Sequence, residues 1–217
     1  MPETPALRIQ ALCHDYGAAP VLVLDALSLA PSEQMLVMGP SGSGKSTLLH
    51  AIAGLLRPSQ GEIHIAGQAL TALSSRQLDR FRGQHIGIVF QRLHLLPALT
   101  VLQNLLWAQG LAGRSRDPAA AMQLLEKLGV QHLAGRMPAQ LSQGQAQRVA
   151  VTRALLSQPR LLLADEPTSS LDDVHAERTL TLLRTQAAEI GAALLVVSHD
   201  RRLRGQFDQQ LELEARE

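Results

Sequence analysis

Short stretches of alternating apolar and polar residues open the chain. LRIQAL (Leu7 to Leu12), VLVLDALSL (Val21 to Leu29) and GEIHIAG (Gly61 to Gly67) read as half-buried antiparallel strands, joined by turn sequences such as YGAAP. Four other runs are almost wholly apolar: MLVM (Met35 to Met38), IGIVF (Ile86 to Phe90), LLLAD (Leu161 to Asp165) and ALLVVS (Ala193 to Ser198). Separated by helical patterns, such runs predict parallel strands covered on both faces. From Gln91 to about Gln140 strand patterning stops, and VLQNLLWAQGL and AAAMQLLEKLGV take up helical spacing. QQLELEA near the end alternates once more. The pattern predicts a mixed α/β core with an antiparallel β lobe near the start and a helical insertion at about 92–140.

Composition narrows the function classes. The 217 residues are 46% hydrophobic and 18% charged with a net charge of +1, so the chain can bury one large core, with or without an inserted lobe. No basic block is dense enough for a nucleic-acid groove, and 2% aromatics leave no stacking platform for single strands. Cys13 is the only cysteine, which excludes an internal disulfide and a cysteine-built zinc site and fits a reducing compartment. MPETPALRIQ lacks the charged start and apolar stretch of a secretory signal. The most apolar window, Leu93 to Gly113, is interrupted by Pro97, Gln103, Asn104 and Gln109, whereas a membrane span needs about 20 predominantly apolar residues. Any work on a membrane would therefore use spanning segments borrowed from a partner.

GPSGSGKST comprises Gly39, Pro40, Ser41, Gly42, Ser43, Gly44, Lys45, Ser46 and Thr47, and fits the phosphate-loop pattern G-x-x-x-x-G-K-[ST]. It follows MLVM and precedes the helical LLHAIAGLL, the strand-loop-helix context that the motif requires. Glycines let the backbone aim N–H groups at phosphate oxygens, and the helix N-terminus adds partial positive charge. Lys45 would reach the β and γ phosphates of a nucleoside triphosphate, Ser46 would offer a hydroxyl to Mg²⁺, and Thr47 would lie near the α phosphate. LLLADEP supplies what the loop lacks, since a buried strand ending in Asp165 and Glu166 brings adjacent carboxylates to the ligand-binding edge of a doubly wound sheet. Asp165 suits a hold on Mg²⁺ through water, and Glu166 suits polarising the water that attacks the γ phosphate. His199 leaves another apolar strand at that edge, where an imidazole can bond the γ phosphate or orient the water. Gln91, just after IGIVF, can take a place beside Mg²⁺ or the water through its amide oxygen.

LSQGQAQRVAVTRALL (141–156) offers a second helix start able to bind phosphate. Ser142 precedes apolar positions Val149, Val151, Ala154 and Leu155, which alone reads as an ordinary N-cap. Gly144 adds close access of an anion to the backbone, which a plain cap does not need. With nucleotide already assigned to Gly39–Thr47, this surface has no obvious ligand in its own subunit.

In this order the loop, Gln91, LSQGQ, LLLADEP, SSLD (169–172) and His199 resemble the ATP-binding cassette ATPases, the nucleotide-binding subunits of ABC transporters, over nearly the whole chain. The resemblance implies a P-loop NTPase (RecA-like) core with an antiparallel β subdomain and an inserted α-helical subdomain, all one domain over 1–217. Residues 1–91 and 157–217 would form the core, and about 92–156 the helical subdomain with the signature LSQGQ. It implies ATP and Mg²⁺ as cofactors, with Ser46, Gln91 and Asp165 at the metal. Glu166 would be the catalytic base, His199 the switch histidine, Gln91 the lever sensing a membrane partner, Asp172 a coupler across the dimer, and Tyr16 the ring stacked on adenine. Two copies would pack head to tail, with Ser142, Gly144 and Gln145 of each closing on the γ phosphate held by the other. Gln143 stands where the common pattern has glycine, and Ser169 and Ser170 where it has glycine and asparagine.

Within the family, RGQHIGIVFQRLHLLPALTVLQNL and LLLADEPTSSLD are most similar to the lipoprotein-release, macrolide-export and cell-division branch. The resemblance implies an integral membrane permease partner, seated in a groove to which Leu93 to Trp107 contribute, and a place on the cytoplasmic face of the membrane without insertion. Export, lipoprotein release or force transmission is the implied work; the alternative is a cassette that transports nothing and signals through its partner to cell-wall enzymes. A DNA-repair cassette needs a long coiled-coil or DNA-binding insertion that the chain lacks. A small-molecule kinase would leave LSQGQ, SSLD and His199 without purpose. Cargo selection would belong to the partner.

Overall fold

The two kinds of strand pattern sort into two sheets. The computed structural model describes residues 4–17, 19–169 and 171–214. Its strands are β1 (Leu7–Asp15), β2 (Pro20–Leu29), β3 (Gln34–Met38), β4 (Gln60–Ile65), β5 (Gln68–Ala69), β6 (Ile86–Val89), β7 (Leu161–Asp165), β8 (Ala193–Ser198) and β9 (Gln209–Glu212). The alternating segments make a four-stranded sheet, β2-β1-β4-β5, antiparallel throughout. The apolar runs make a five-stranded parallel sheet, β6-β7-β8-β3-β9, with the terminal alternating segment at its edge.

Several strands are shorter than their patterns. β6 stops at Val89, so Phe90 and Gln91 lie in the loop beyond it, and Ala66 and Gly67, at φ 49° and 83°, turn the chain from β4 into β5. In β1 the buried positions Leu7, Ile9 and Leu12 break the two-residue period. Ala11, at φ 46°, accommodates the extra residue, and the pairing with β4 shifts between Gln10 and Cys13.

The helices are α1 (Lys45–Ile52), α2 (Ser75–His85), α3 (Val101–Leu111), α4 (Pro118–Lys127), α5 (Gln143–Leu155) and α6 (Asp173–Glu189). α3 and α4 follow the expected helical spacing, and no strand occurs among the described residues between β6 and β7. α2 buries only Leu78, which is too narrow an apolar stripe for periodicity to reveal.

The parallel strands divide their side chains by parity. Met35, Val37, Leu161, Leu163, Leu195 and Val197 join α1 and the antiparallel sheet in one core. Leu36, Met38, Leu162, Ala164, Leu194 and Val196 join α3, α4, α5 and α6 in the other. Burial on both faces is what makes these strands almost wholly apolar. It also fixes their register, since a one-residue slip would exchange the two cores.

That register positions the site. β8 lies between β3 and β7, with Met38 opposite Ser198 and Val197 opposite Asp165. The phosphate loop after β3, the carboxylates after β7 and His199 after β8 therefore emerge side by side at one edge.

Candidate active site

The loop between β3 and α1 is shaped by backbone sterics. Gly44 precedes the first residue of α1 in the left-handed region at φ 86°, and a Cβ there would meet the Val21 carbonyl oxygen at 2.7 Å. No side chain caps the helix, so its first-turn N–H groups point at the loop. Lys45 is 8% exposed, and its ammonium donates to the carbonyls of Gly39 and Pro40, both at 2.7 Å. The Ser43 hydroxyl is buried without a hydrogen-bond partner inside the same loop. Tyr16 stands at the rim, with its hydroxyl 3.3 Å from the Thr47 hydroxyl and its ring edge-on to buried His14 at 4.6 Å.

The neighbouring strand ends bring the acids to this loop. Asp165 keeps one carboxylate oxygen, Oδ1, buried with no partner. Its burial, reinforced by the adjacent Glu166 carboxylate, raises its pKa above the ordinary value, against the opposing pull of His50 and Lys45. Glu166 adopts φ 47°, a strained conformation for a residue with a side chain, held by its N–H bond to the Val197 carbonyl at 2.8 Å. Its carboxylate accepts the Ser198 hydroxyl at 2.9 Å and the His199 backbone N–H at 3.1 Å, and lies 2.7 Å from His199 Nδ1. The Gln91 amide donates to the Ser169 hydroxyl at 3.1 Å, which donates in turn to the Glu166 carbonyl at 3.1 Å. Lys45, Asp165, Glu166, His199 and Gln91 thus converge on one edge.

Ser142, Gly144 and Gln145 lie elsewhere. Ser142 caps α5: its hydroxyl accepts the Gln145 N–H at 3.3 Å, while Gln145 Oε1 accepts the Ser142 N–H at 2.9 Å. With Arg148, His175 and Arg178 these residues line a cavity of about 1090 Å³ between α5 and α6. Among the described residues no hydrogen bond joins Ser142, Gly144 or Gln145 to Gly39–Thr47. A Cβ on Gly144 would meet nothing within 4 Å, so its own subunit gives no steric reason for that glycine. Asp172 caps α6 through the His175 N–H at 3.0 Å and is held below the ordinary carboxylate range by that bond and the His175 ring. Ser170 of SSLD lies outside the described residues.

Three polar residues unclaimed by the motifs belong to the same edge. Ser198, fully buried, positions Glu166; Thr168, also fully buried, donates to Asp200 at 3.0 Å; and Asp200 N–H donates to the Ser198 hydroxyl at 3.1 Å. The one signal in the sequence is Ser198 as the polar end of an otherwise apolar strand.

A second concavity of about 650 Å³ lies over β6 and α3. Leu96 and Trp107 line it and are 42% and 46% exposed, whereas Val101 and Leu105 from the same segment are wholly buried in the core. Arg153 ties α5 to its rim through the carbonyls of Leu93 and His94, at 2.8 and 2.7 Å.

Residues 25–169 match the family model described as ABC transporter, which spans the phosphate loop, the signature and Glu166. The chain belongs to the ABC transporter ATP-binding family. The lipoprotein-releasing system ATP-binding protein LolD of Shewanella oneidensis is 41% identical over 211 residues, covering 94% of this chain and 92% of the relative. Its counterpart in Xanthomonas oryzae pv. oryzae is 40% identical, covering 97% of this chain and 88% of that protein. Among solved structures, the dimeric ABC transporter cassette MJ0796 superposes with a TM-score of 0.85 at 32% identity, covering 96% of this chain and 94% of that one. Its post-hydrolysis dimer bound to ADP and Pi gives the same TM-score and identity, covering 97% of each. As a member of this ABC family, the chain is an ATP-binding and ATP-hydrolysing transporter subunit with the cassette fold.

Proposed function

We propose that this ATPase holds ATP and Mg²⁺ at the shared edge of β3, β7 and β8, hydrolyses the nucleotide in a head-to-tail dimer, and drives a membrane permease. The observation carrying this reading is the Glu166 carboxylate, held by Ser198 and His199 next to the unpartnered oxygen of Asp165. Lys45, with the N–H groups of α1, binds the β and γ phosphates, and Tyr16 stacks on adenine. Glu166 accepts hydrogen-bonding from the attacking water and polarises it, while His199 bonds the γ phosphate. Ser46, Asp165 and Gln91 form the Mg²⁺ side of the site. An all-oxygen set with one carboxylate suits that ion, which keeps water and phosphate oxygens. Among the described residues no cluster of three or more His, Cys, Asp or Glu could hold a metal alone, so Ser46, Asp165 and Gln91 would hold the ion together with bound nucleotide. Mg²⁺ held there would neutralise charge that develops on the nucleotide phosphates.

The Gly144 geometry supports sharing of the site between copies, because a helical glycine that nothing in its own subunit requires costs about 1 kcal/mol relative to alanine. Ser142, Gly144 and Gln145 close on the partner copy's γ phosphate, with Asp172 coupling the two halves. Residues 92–156 act as the helical subdomain and 1–91 with 157–217 as the core. No helix among the described residues is long and apolar enough to cross a membrane. The chain sits on the cytoplasmic face through its permease, whose cytoplasmic helix fits the apolar groove at Leu96 and Trp107. Lipoprotein release is the work most consistent with its similarity to LolD proteins.

Replacing Glu166 by Gln tests the core of this reading. Turnover is expected to fall about 100- to 10,000-fold with ATP binding intact, the range for loss of a general base. Light scattering of Glu166→Gln with ATP should show a dimer. A species that stays monomeric at high protein concentration contradicts the shared site.

A further inference from the structure

Arg202 follows His199 in a short helical turn, and no motif claims it. Its guanidinium donates from Nε to both oxygens of Asp200, at 2.9 and 3.0 Å, and from Nη2 to Asp200 at 2.7 Å. Its backbone N–H adds a fourth bond to Asp200 at 3.0 Å. Nη1 donates to Asp173, the first residue of α6, and Nη2 also reaches the Leu171 carbonyl at 3.4 Å. Asp172, the residue that caps α6, lies between those two contacts.

The two ends of this clamp differ in weight. The Asp200 side chain is 10% exposed and that of Asp173 is 86%, so the contact with Asp200 is the one shielded from water and salt. From Asp200 the connection runs inward. Its N–H donates to the Ser198 hydroxyl, whose single proton then goes to Glu166 Oε2 at 2.9 Å. The Thr168 hydroxyl donates to Asp200 Oδ2 at 3.0 Å, an oxygen that Arg202 also holds. Hydrogen bonds on the side chain and on the backbone N–H of Asp200 thus link, through that one residue, the segment bearing Asp172 to the Glu166 carboxylate.

We propose that Arg202 is a positioning residue for ATP hydrolysis, fixing the aim of Glu166 through Asp200 and Ser198 while anchoring the 171–173 segment. The inference rests on Glu166 acting as stated above. A loosened carboxylate leaves ATP binding untouched, because among the described residues no hydrogen bond or ion pair joins Arg202 to Gly39–Thr47, but slows the chemical step.

ATPase rates of the purified 217-residue chain across ATP concentrations, with melting temperatures, test this for Arg202→Ala, Arg202→Lys, Ser198→Ala and the Ser198→Ala/Arg202→Ala double variant. Arg202→Ala is expected to lower kcat about ten-fold while KM for ATP changes less than about two-fold, the mark of misplaced chemistry rather than lost binding. Arg202→Lys should recover little, because a single ammonium cannot span Asp200, Asp173 and the Leu171 carbonyl together. The double variant should be no worse than its weaker parent, because both changes interrupt one connection. A kcat unchanged in Arg202→Ala, full rescue by lysine, or losses that multiply in the double variant would overturn the proposal. Glu166→Gln run in parallel separates the failures. If it is inactive while Arg202→Ala is normal, only the role of Arg202 falls; if it retains turnover, the reading of the site falls as well.

Discussion

The chain has two helix starts suited to phosphate, and they are built in opposite ways. At α1 the preceding residue is Gly44, demanded by its own fold: φ is 86°, and a side chain would strike the Val21 carbonyl. No side chain caps that helix, so its first-turn N–H groups are left available to an anion in the same subunit. At α5 the cap is complete, with Ser142 and Gln145 satisfying each other, and Gly144 lies in open space. One start is a finished half-site. The other is complete by itself, and its glycine has no steric use within the subunit. The pair shows that the reason for a glycine must be sought in the steric environment, since the two residues look alike in the sequence.

The strongest way to break this contrast is Lys45→Ala. Removing the cation from the finished half-site should lower kcat about 100- to 1,000-fold, the scale for losing an aimed electrostatic group, as measured by phosphate release. The two glycines sharpen it by moving stability in opposite directions. Gly44→Ala should destabilise the chain by about 1–3 kcal/mol in denaturant melts and weaken binding of a fluorescent ATP analogue. Gly144→Ala should stabilise the monomer by about 0.5–1 kcal/mol, yet reduce ATP-driven dimerisation by light scattering. If Gly144→Ala dimerises and hydrolyses ATP as the parent does, the second start has no partner-facing role. Ser142→Ala should cost about 1 kcal/mol of stability through the cap, with ATP affinity of the monomer unchanged by calorimetry.

The smallest effect concerns the edge facing the first start. Arg202 holds the Asp200 pKa down at about 2, against an ordinary 3.8. Because the folded value lies below the unfolded one, the ionised pair stabilises the fold above pH 3.8, and this contribution disappears as pH falls through about 2. Melting temperatures measured from pH 5 to pH 2 should therefore decline less steeply in Arg202→Ala than in the parent.

The nucleotide loop was legible because its requirements are local: glycines, a lysine and a hydroxyl in fixed order between a strand and a helix. The N-cap at Ser142 was legible for the same reason, and the capping partner Gln145 follows at the usual spacing. α2 was not, since Leu78 is its one buried residue. Arg202 was not either: within HDRRLRGQF it reads as a surface arginine among others, and although its bonds to Asp200 are local, its bond to Asp173 exists only after α6 and the end of β8 are brought together. The groove-forming segment was legible in part, because hydropathy does not separate Leu96 and Trp107, which line the concavity, from Val101 and Leu105, which are core.

The sequence alone determined the kinds of elements, the phosphate loop and the carboxylate-bearing strand end, since side-chain period, backbone sterics and capping act over a few residues. The tertiary structure decided which strand ends meet. Only the insertion of β8 between β3 and β7, in a register enforced by burial on both faces, sets Ser198 and His199 against Glu166 and beside the loop. Parallel pairing joins residues far apart in the chain, and no local pattern encodes the order in which such strands assemble. The same holds for Gly144, since the open space that a Cβ there would enter is a property of the folded surface.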